Sequence, residues 1–203
     1  MKILLIVTIV STSIARALDL TPIEAKASNE AGEYSYLEFR DGRSKVTYMP
    51  PKSWDYRGDA SCLRLSTHDT SSAEFNITHR PLKELLPVAE ENLKAFEEIA
   101  RQSLPQGAVK VETETVLFNP MEIDGHKTIE VVVCYGFFGQ MIKSSLLFAV
   151  RESAPVRFRV EASAASEAAR SATLFTFRVA ARPGEFQQVR KEFFYSLNTI
   201  VGL

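Results

Sequence analysis

Apolar and polar residues alternate along most of the chain from residue 33 onward, a period of two that is typical of β-strands with one buried face. Asp41-Gly42 and Asp124-Gly125 interrupt two of these stretches, and such pairs favour two-residue hairpin turns because both residues tolerate positive φ. We therefore predict antiparallel strands joined mainly by tight turns. The expected hairpins pair residues 34–40 with 43–49, 60–67 with 73–79, 109–118 with 126–135, and 155–163 with 173–180.

Two segments show helical spacing instead. The first begins at Pro87, whose missing N–H is no loss at the first position of a helix, and ends near Ser103. The second follows Pro183-Gly184. The apolar stripes are Val88, Leu93, Phe96, Ile99 and Ala100 in the first and Phe186, Val189, Phe193, Leu197 and Ile200 in the second. One stripe per helix suits packing on a sheet, so the predicted class is α+β: a twisted antiparallel sheet of short hairpin-linked strands with helices on its faces.

The N-terminal residues predict a leader. Residues 1–17 contain a lysine near the start, an uncharged apolar stretch and a small-x-small sequence that ends at Ala17, which is the order expected of a cleaved signal peptide. We expect cleavage before Leu18 and a periplasmic or secreted product; the alternative is a buried N-terminal strand. The apolar stretch is too short to span a bilayer, and no later segment of the mature chain predicts a transmembrane helix.

Composition divides the remaining chain into two parts. Residues 18–32 are polar without clear periodicity, and we expect them to form a flexible N-terminal arm. Residues 33–203 contain no internal repeat and predict a single domain.

The charge balance narrows the possible partners. The chain has 24 Lys and Arg residues against 25 Asp and Glu residues, a formal net charge of -1. A nucleic-acid-binding protein needs clustered cations that displace counterions, so nucleic acid is not expected as a partner. Four arginines near the C-terminal end form a possible partner surface, or else a solvated strand face. They are Arg157, Arg159, Arg178 and Arg182.

Few residues suggest catalysis. The three histidines, His68, His79 and His126, lack the spacing of metal ligands, and the chain contains neither Gly-x-Ser-x-Gly nor a glycine-rich phosphate loop. We therefore predict no cofactor, metal site or catalytic residue. The two cysteines, Cys62 and Cys134, either form a disulfide, which export would permit, or are buried free thiols.

The order of several segments resembles a known family. A Pro and Trp segment (PPKSW) is followed by a strand hairpin (CLRLS and AEFNITH) and a helix that ends in LPQGA. Then come LFNPMEIDG, YGFFGQ and a closing strand and helix (FTFRVAARPGEFQQVRKEFFYSLNTI). From residue 44 to the end, this order resembles the PsbP-like sandwich, which includes the PsbP subunit of photosystem II and DcrB-like bacterial envelope proteins. The resemblance implies a non-catalytic module that docks onto larger assemblies, and it supplies no catalytic residues.

The leading hypothesis is an exported accessory or protein-binding module of the bacterial cell envelope, with a protein partner there. One alternative is a secreted enzyme whose site lacks a recognised motif and uses His68 with Asp69, or His79. The other is a small-molecule carrier with an apolar pocket between helix and sheet, lined by residues such as Trp54, Phe96 and Phe193.

Overall fold

The computed structural model describes residues 18–30, 32–42, 44–67, 73–152 and 172–203. Within these ranges the chain forms ten strands, all paired antiparallel, and two α-helices. The strands are β1 (Asp19–Asn29), β2 (Gly32–Asp41), β3 (Ser44–Tyr48), β4 (Trp54–Gly58), β5 (Cys62–Thr67), β6 (Glu74–Leu82), β7 (Val109–Ile123), β8 (His126–Phe137), β9 (Gln140–Glu152) and β10 (Ala172–Ala181). The helices are α1 (Leu93–Gln102), which follows a 3-10 turn over Glu90–Asn92, and α2 (Pro183–Leu197).

Seven strands form the large sheet, in the order β4-β5-β6-β10-β9-β8-β7. The predicted hairpins β5-β6 and β7-β8 are present, and Ile123 pairs with His126 across the Asp-Gly turn as expected. The last predicted hairpin is wrong. Residues 155–163 lie outside the described part of the chain, and β10 pairs with β6 on one side and β9 on the other. Both faces of β10 are largely buried, which suits a central strand.

The small sheet has the order β1-β2-β3. The β2-β3 hairpin forms around Asp41-Gly42 as predicted. The flexible arm expected at residues 18–32 is not observed, because β1 pairs with β2 along nearly its whole length. Leu18 and Leu20 are both buried, with 3% of each residue exposed. Backbone pairing at an edge does not require an alternating sequence, so a polar strand anchored by two leucines escaped the periodicity analysis.

The two faces of the large sheet are covered differently. On one face α1 packs over β7, β8 and β9, and on the other α2 and the small sheet pack together against the central strands. The α1 core is centred on Phe96, Ala100, Ile129, Val131, Val133, Tyr135, Leu146, Phe148 and Leu174. The largest side chains of the other core include Tyr48, Trp54, Phe75, Phe175, Phe177, Phe186 and Phe193. The α+β class predicted from the sequence is confirmed.

A charged pair lies between α2 and the large sheet. Glu130, on β8, has 0% of its surface exposed. Its carboxylate accepts two hydrogen bonds from the Arg190 guanidinium, at 2.6 and 2.5 Å, and one from Ser145 Oγ at 2.6 Å. The bidentate geometry satisfies a carboxylate that burial would otherwise make very costly. It therefore sets where α2 rests on the sheet.

We predict that Arg190→Met destabilises the protein by about 3–5 kcal/mol, since Glu130 is then left buried without its counter-charge. Chemical denaturation monitored by circular dichroism measures the change. The control is Arg101→Ala, which removes the more exposed pair with Glu97 on α1 and should cost at most about 1 kcal/mol. Equal losses for the two variants would contradict the structural role of the buried pair.

Candidate functional site

A groove of about 590 Å³ opens between the small sheet, β4 and the end of α2. We call it the tyrosine groove. Five aromatic residues contribute to its lining, Tyr34, Tyr36, Trp54, Tyr56 and Tyr195. Trp54 is buried, whereas Tyr195 is 80% exposed. The groove is therefore a concave aromatic surface that solvent can reach.

The wall carrying Tyr195 is held by hydrogen bonds from α2 to the small sheet. Ser196 Oγ donates to the Phe193 carbonyl at 2.7 Å, so the Tyr48 hydroxyl, 2.8 Å from Ser196 Oγ, is the donor in their contact. Beyond the helix, Thr199 Oγ1 accepts from the Met49 N–H at 2.9 Å. Val201 then exchanges two backbone hydrogen bonds with Thr47 on β3, at 2.9 and 3.0 Å.

The opposite wall is formed by the β1-β2 hairpin. The rings of Tyr34 and Tyr36 are 6.2 Å apart. Tyr36 donates to Glu38 at 3.1 Å, and Glu38 also forms an ion pair with Lys45 at 2.6 Å. Hydrogen bonds from Lys45 and Tyr36 lower the pKa of Glu38, and the bond to Glu38 raises the pKa of Tyr36. Tyr36 is thus held as a neutral hydroxyl group at ordinary pH.

A contact between the Tyr56 hydroxyl and the Glu24 carboxylate joins β4 to β1 beside the groove. Four charged residues contribute to the lining, Glu24, Lys26, Glu33 and Lys52. Two acids and two bases leave no strong net field there. The site is therefore suited to ligands that combine apolar surface with hydrogen-bonding groups, more than to highly charged ones.

The predicted arginine surface is only partly described. Arg157 and Arg159 lie outside the described residues. Arg178 is largely enclosed: its guanidinium donates to the Tyr135 hydroxyl at 2.9 Å, to Ser144 Oγ at 3.3 Å and to Glu74 at 3.4 Å. Arg182 is exposed at the start of α2, where its Nε donates to Gln140 at 3.3 Å. Arg178 therefore joins β10 to side chains of β6, β8 and β9.

Two of the three histidines, His79 and His126, lie within hydrogen-bond distance of backbone carbonyls. His68 and Asp69 lie outside the described residues. The His79 ring is 3.1 Å from the Ala60 carbonyl and 6.1 Å from the Phe175 ring, so it joins β6 to the segment before β5. His126 Nε2 is 3.2 Å from the Leu203 carbonyl. In the described part of the chain, no three His, Cys, Asp or Glu residues are grouped to hold a metal ion.

The possible disulfide is not formed, and both cysteines are free. Cys62 lies on β5 and Cys134 on β8, with β6, β10 and β9 between them. Four strand spacings amount to about 19 Å, and the side chains point to opposite faces, because their neighbours Leu63 and Val133 belong to opposite cores. A disulfide requires Cα atoms within about 7 Å, so a bridge within one chain is excluded.

The prediction of one pocket lined by Trp54, Phe96 and Phe193 is also wrong. Trp54 and Phe193 stack at 6.4 Å in the core beneath α2, whereas Phe96 belongs to the core beneath α1 on the other face of the sheet. Of the three, only Trp54 lines the groove. The four groove tyrosines were missed because they come from three segments that are far apart in sequence, β2, β4 and α2, and these segments meet only through the topology.

The fold and the groove define an α+β sandwich with a concave aromatic site. No protein-family model matches the chain, and no curated protein matches it significantly. Among solved structures, it is similar to LpqN of Mycobacterium tuberculosis, a protein involved in cell envelope biogenesis, with a TM-score of 0.53 at 10% identity over 89% of this chain and 90% of that chain. It also matches the cyanobacterial PsbP of Synechocystis sp. PCC 6803, with a TM-score of 0.45 at 11% identity over 94% of each chain.

The likeness to LpqN, at 10% identity, is one of fold alone, and the α+β sandwich predicted from the sequence is confirmed by the strands and helices described above. Among the described residues, no helix has the length and apolar character needed to cross a membrane.

We predict that Tyr48→Phe makes the free energy of unfolding fall less steeply at alkaline pH. Burial raises the pKa of Tyr48 far above its ordinary value of 10.0. Above pH 10 the unfolded chain therefore ionises this hydroxyl, whereas the folded chain does not. Tyr48 therefore makes the folded state lose up to about 1.4 kcal/mol per pH unit above pH 10. Urea unfolding from pH 8 to 11 should show Tyr48→Phe about 1 kcal/mol less stable at pH 8, from the lost hydrogen bond, with a smaller alkaline decline. Parallel declines would contradict the burial of this hydroxyl.

We also predict that both thiols are free. Alkylation of the purified protein in denaturant without reductant should add two alkyl groups, at Cys62 and Cys134, as measured by mass spectrometry. The same sample treated first with a reductant is the control and should gain the same mass. Alkylation that requires the reductant would contradict the strand separation described above.

Proposed function

We propose that the protein is an exported module of a bacterial cell envelope that binds an extended peptide segment of a protein partner in the tyrosine groove. The observation that carries the proposal is the groove itself, a solvent-open surface with four tyrosines and the single tryptophan of the chain. Export rests on the leader expected at residues 1–17. The envelope context is consistent with the fold shared with LpqN, which is described as involved in envelope biogenesis.

The side chains of the groove are of the type that dominates protein interfaces. Tyr and Trp offer large, amphipathic contact area and lose little conformational entropy on binding. Tyr34, Tyr36 and Tyr56 are half-buried, so a ligand meets rings that are already positioned. Pro50-Pro51 adds a stiff segment to the lining. Such preorganisation reduces the entropic cost of association.

The edge of the small sheet favours an extended occupant. Within the described residues, β1 is an edge strand, paired along one side with β2. Glu24 and Lys26 on this strand line the groove. A peptide lying there can use backbone hydrogen bonds to an edge strand as well as aromatic contacts, which is the usual way an extended segment binds a sheet.

A second candidate function is a small-molecule carrier, since 590 Å³ is within the range of small-ligand sites. Native mass spectrometry of the exported protein separates the two functions. A co-purified adduct of a few hundred daltons that Tyr195→Ala removes would favour the carrier over the peptide-binding module.

We predict that p-benzoylphenylalanine placed at position 195 crosslinks a partner in the envelope, whereas the same group at the exposed position of Glu98 on α1 does not. The crosslinked segment is then synthesised and titrated against the purified protein. Because Trp54 is the only tryptophan and lines the groove, its fluorescence reports occupancy directly.

The affinity measurement decides the proposal. Tyr195→Ala and Tyr36→Ala should each weaken peptide binding by about 10-fold or more, as expected for aromatic hot spots, while Glu98→Ala leaves the affinity unchanged. A peptide that binds all variants equally, or that leaves Trp54 fluorescence unaltered, would overturn the assignment of the groove.

A further inference from the structure

Two hairpin turns of the large sheet have nearly the same backbone conformation, but the residue at the first turn position differs in chemical type. In the β7-β8 turn, Asp124 and Gly125 have φ values of 49° and 77°. In the β8-β9 turn, Phe138 and Gly139 have φ values of 46° and 77°. Asp is a favoured residue for the first position of such a turn, whereas a bulky residue with positive φ is a true outlier. The second turn therefore holds phenylalanine under backbone strain.

Packing in the core does not explain why phenylalanine occupies position 138. Phe138 is 90% exposed. Its ring is 4.4 Å from the ring of Phe137, which is itself partly buried against the α1 core. The chain thus bears both the strain and the exposure of a large apolar side chain, each of which is unfavourable in an isolated folded domain. An asparagine or aspartate at position 138 would avoid both.

Two other exposed apolar residues lie at the same end of the sheet as Phe138. Met141, 47% exposed, pairs through its backbone with Gly136 on β8, and Val109, 57% exposed, pairs with the same glycine from β7. We call Val109, Phe138 and Met141 the apolar tip. A cluster of exposed apolar groups at the end of a hairpin is the kind of surface that marks a membrane or partner contact.

Two cations lie next to the apolar tip. Lys110 follows Val109 directly and is exposed. Arg182 is exposed and donates to Gln140, the first residue of β9 after the turn. Carboxylates lie further along the elements, at Glu112 on β7 and Glu185 in the first turn of α2. The chain as a whole carries a formal net charge of -1, so cations next to exposed apolar groups are a local feature that complements an anionic surface.

We propose that the apolar tip inserts into the interfacial layer of an anionic lipid bilayer, with Phe138 as the anchor and Lys110 and Arg182 contacting lipid headgroups. A protruding turn can enter a fluid interface without a complementary cavity, and shallow apolar insertion combined with basic residues is a common mode of peripheral binding. The tip is built from β7, β8 and β9, whereas the tyrosine groove is built from β1, β2, β4 and the end of α2, so this proposal does not depend on the peptide-binding function.

The test is co-sedimentation of the purified exported protein with vesicles of phosphatidylglycerol and phosphatidylcholine, and with phosphatidylcholine alone. We expect binding to the anionic vesicles that falls at least 5-fold for Phe138→Asn and that weakens with added salt. The same variant should raise Tm by about 2–4 °C, since asparagine tolerates positive φ. A gain in stability with a loss of binding would show that the loss is not caused by misfolding.

Two further variants sharpen the result. Leu117→Asn removes an exposed apolar side chain elsewhere on β7, 42% exposed, and should leave vesicle binding unchanged. Phe138→Leu keeps an apolar anchor and should retain most of the binding. Absence of vesicle binding by the wild-type protein, or equal binding by wild type and Phe138→Asn, would overturn the proposal. The apolar tip would then be assigned to a contact with a pocket of a protein partner.

Discussion

The arrangement of this molecule depends on one buried ion pair between helix and sheet. Glu130 lies in an otherwise apolar stretch of β8, is fully buried, and is paired with Arg190 of α2. Taking a carboxylate out of water costs several kcal/mol unless a counter-charge and hydrogen bonds replace the lost hydration. Arg190 and Ser145 supply that replacement at one position of the helix. A shift of α2 along the sheet would leave the carboxylate unpaired, so the pair selects a single position for α2.

The candidate site follows from that position. With α2 fixed, its last turn brings Ser196 to the buried hydroxyl of Tyr48, and the residues after the helix add Val201 to the edge of β3. These contacts close the small sheet against the large one and place Tyr195 at the groove. The groove is lined from β1, β2, β4 and the end of α2, and it exists because these contacts and the Glu130–Arg190 pair hold the separate elements together. Changes at the ion pair should therefore alter the groove as well as the stability.

Local patterns predicted the local elements well. The Asp-Gly pairs identified two hairpins, and the spacing of Phe186, Val189 and Phe193 identified α2, since turn geometry and amphipathic spacing are encoded within a few residues. The position of β10 between β6 and β9 is not encoded locally, because strand order is decided by how long-range pairings share the buried surface. Glu130 was visible in the sequence as a lone acid between apolar residues, but its partner lies sixty positions away on another element.

The two proposed binding surfaces were likewise not predictable from local sequence, because each combines residues from several elements. The helix α2 runs between them. Arg182, beside the apolar tip, precedes the helix, and Tyr195, at the groove, lies near its end. A helix of 15 residues is about 22 Å long, so a protein held to a bilayer by Phe138 would carry its groove roughly that far along the helix from the lipid contact. A partner segment reaching the groove would then come from a protein close to the same membrane. In this arrangement, the strained turn determines where the molecule resides, and the tyrosines determine what it binds there.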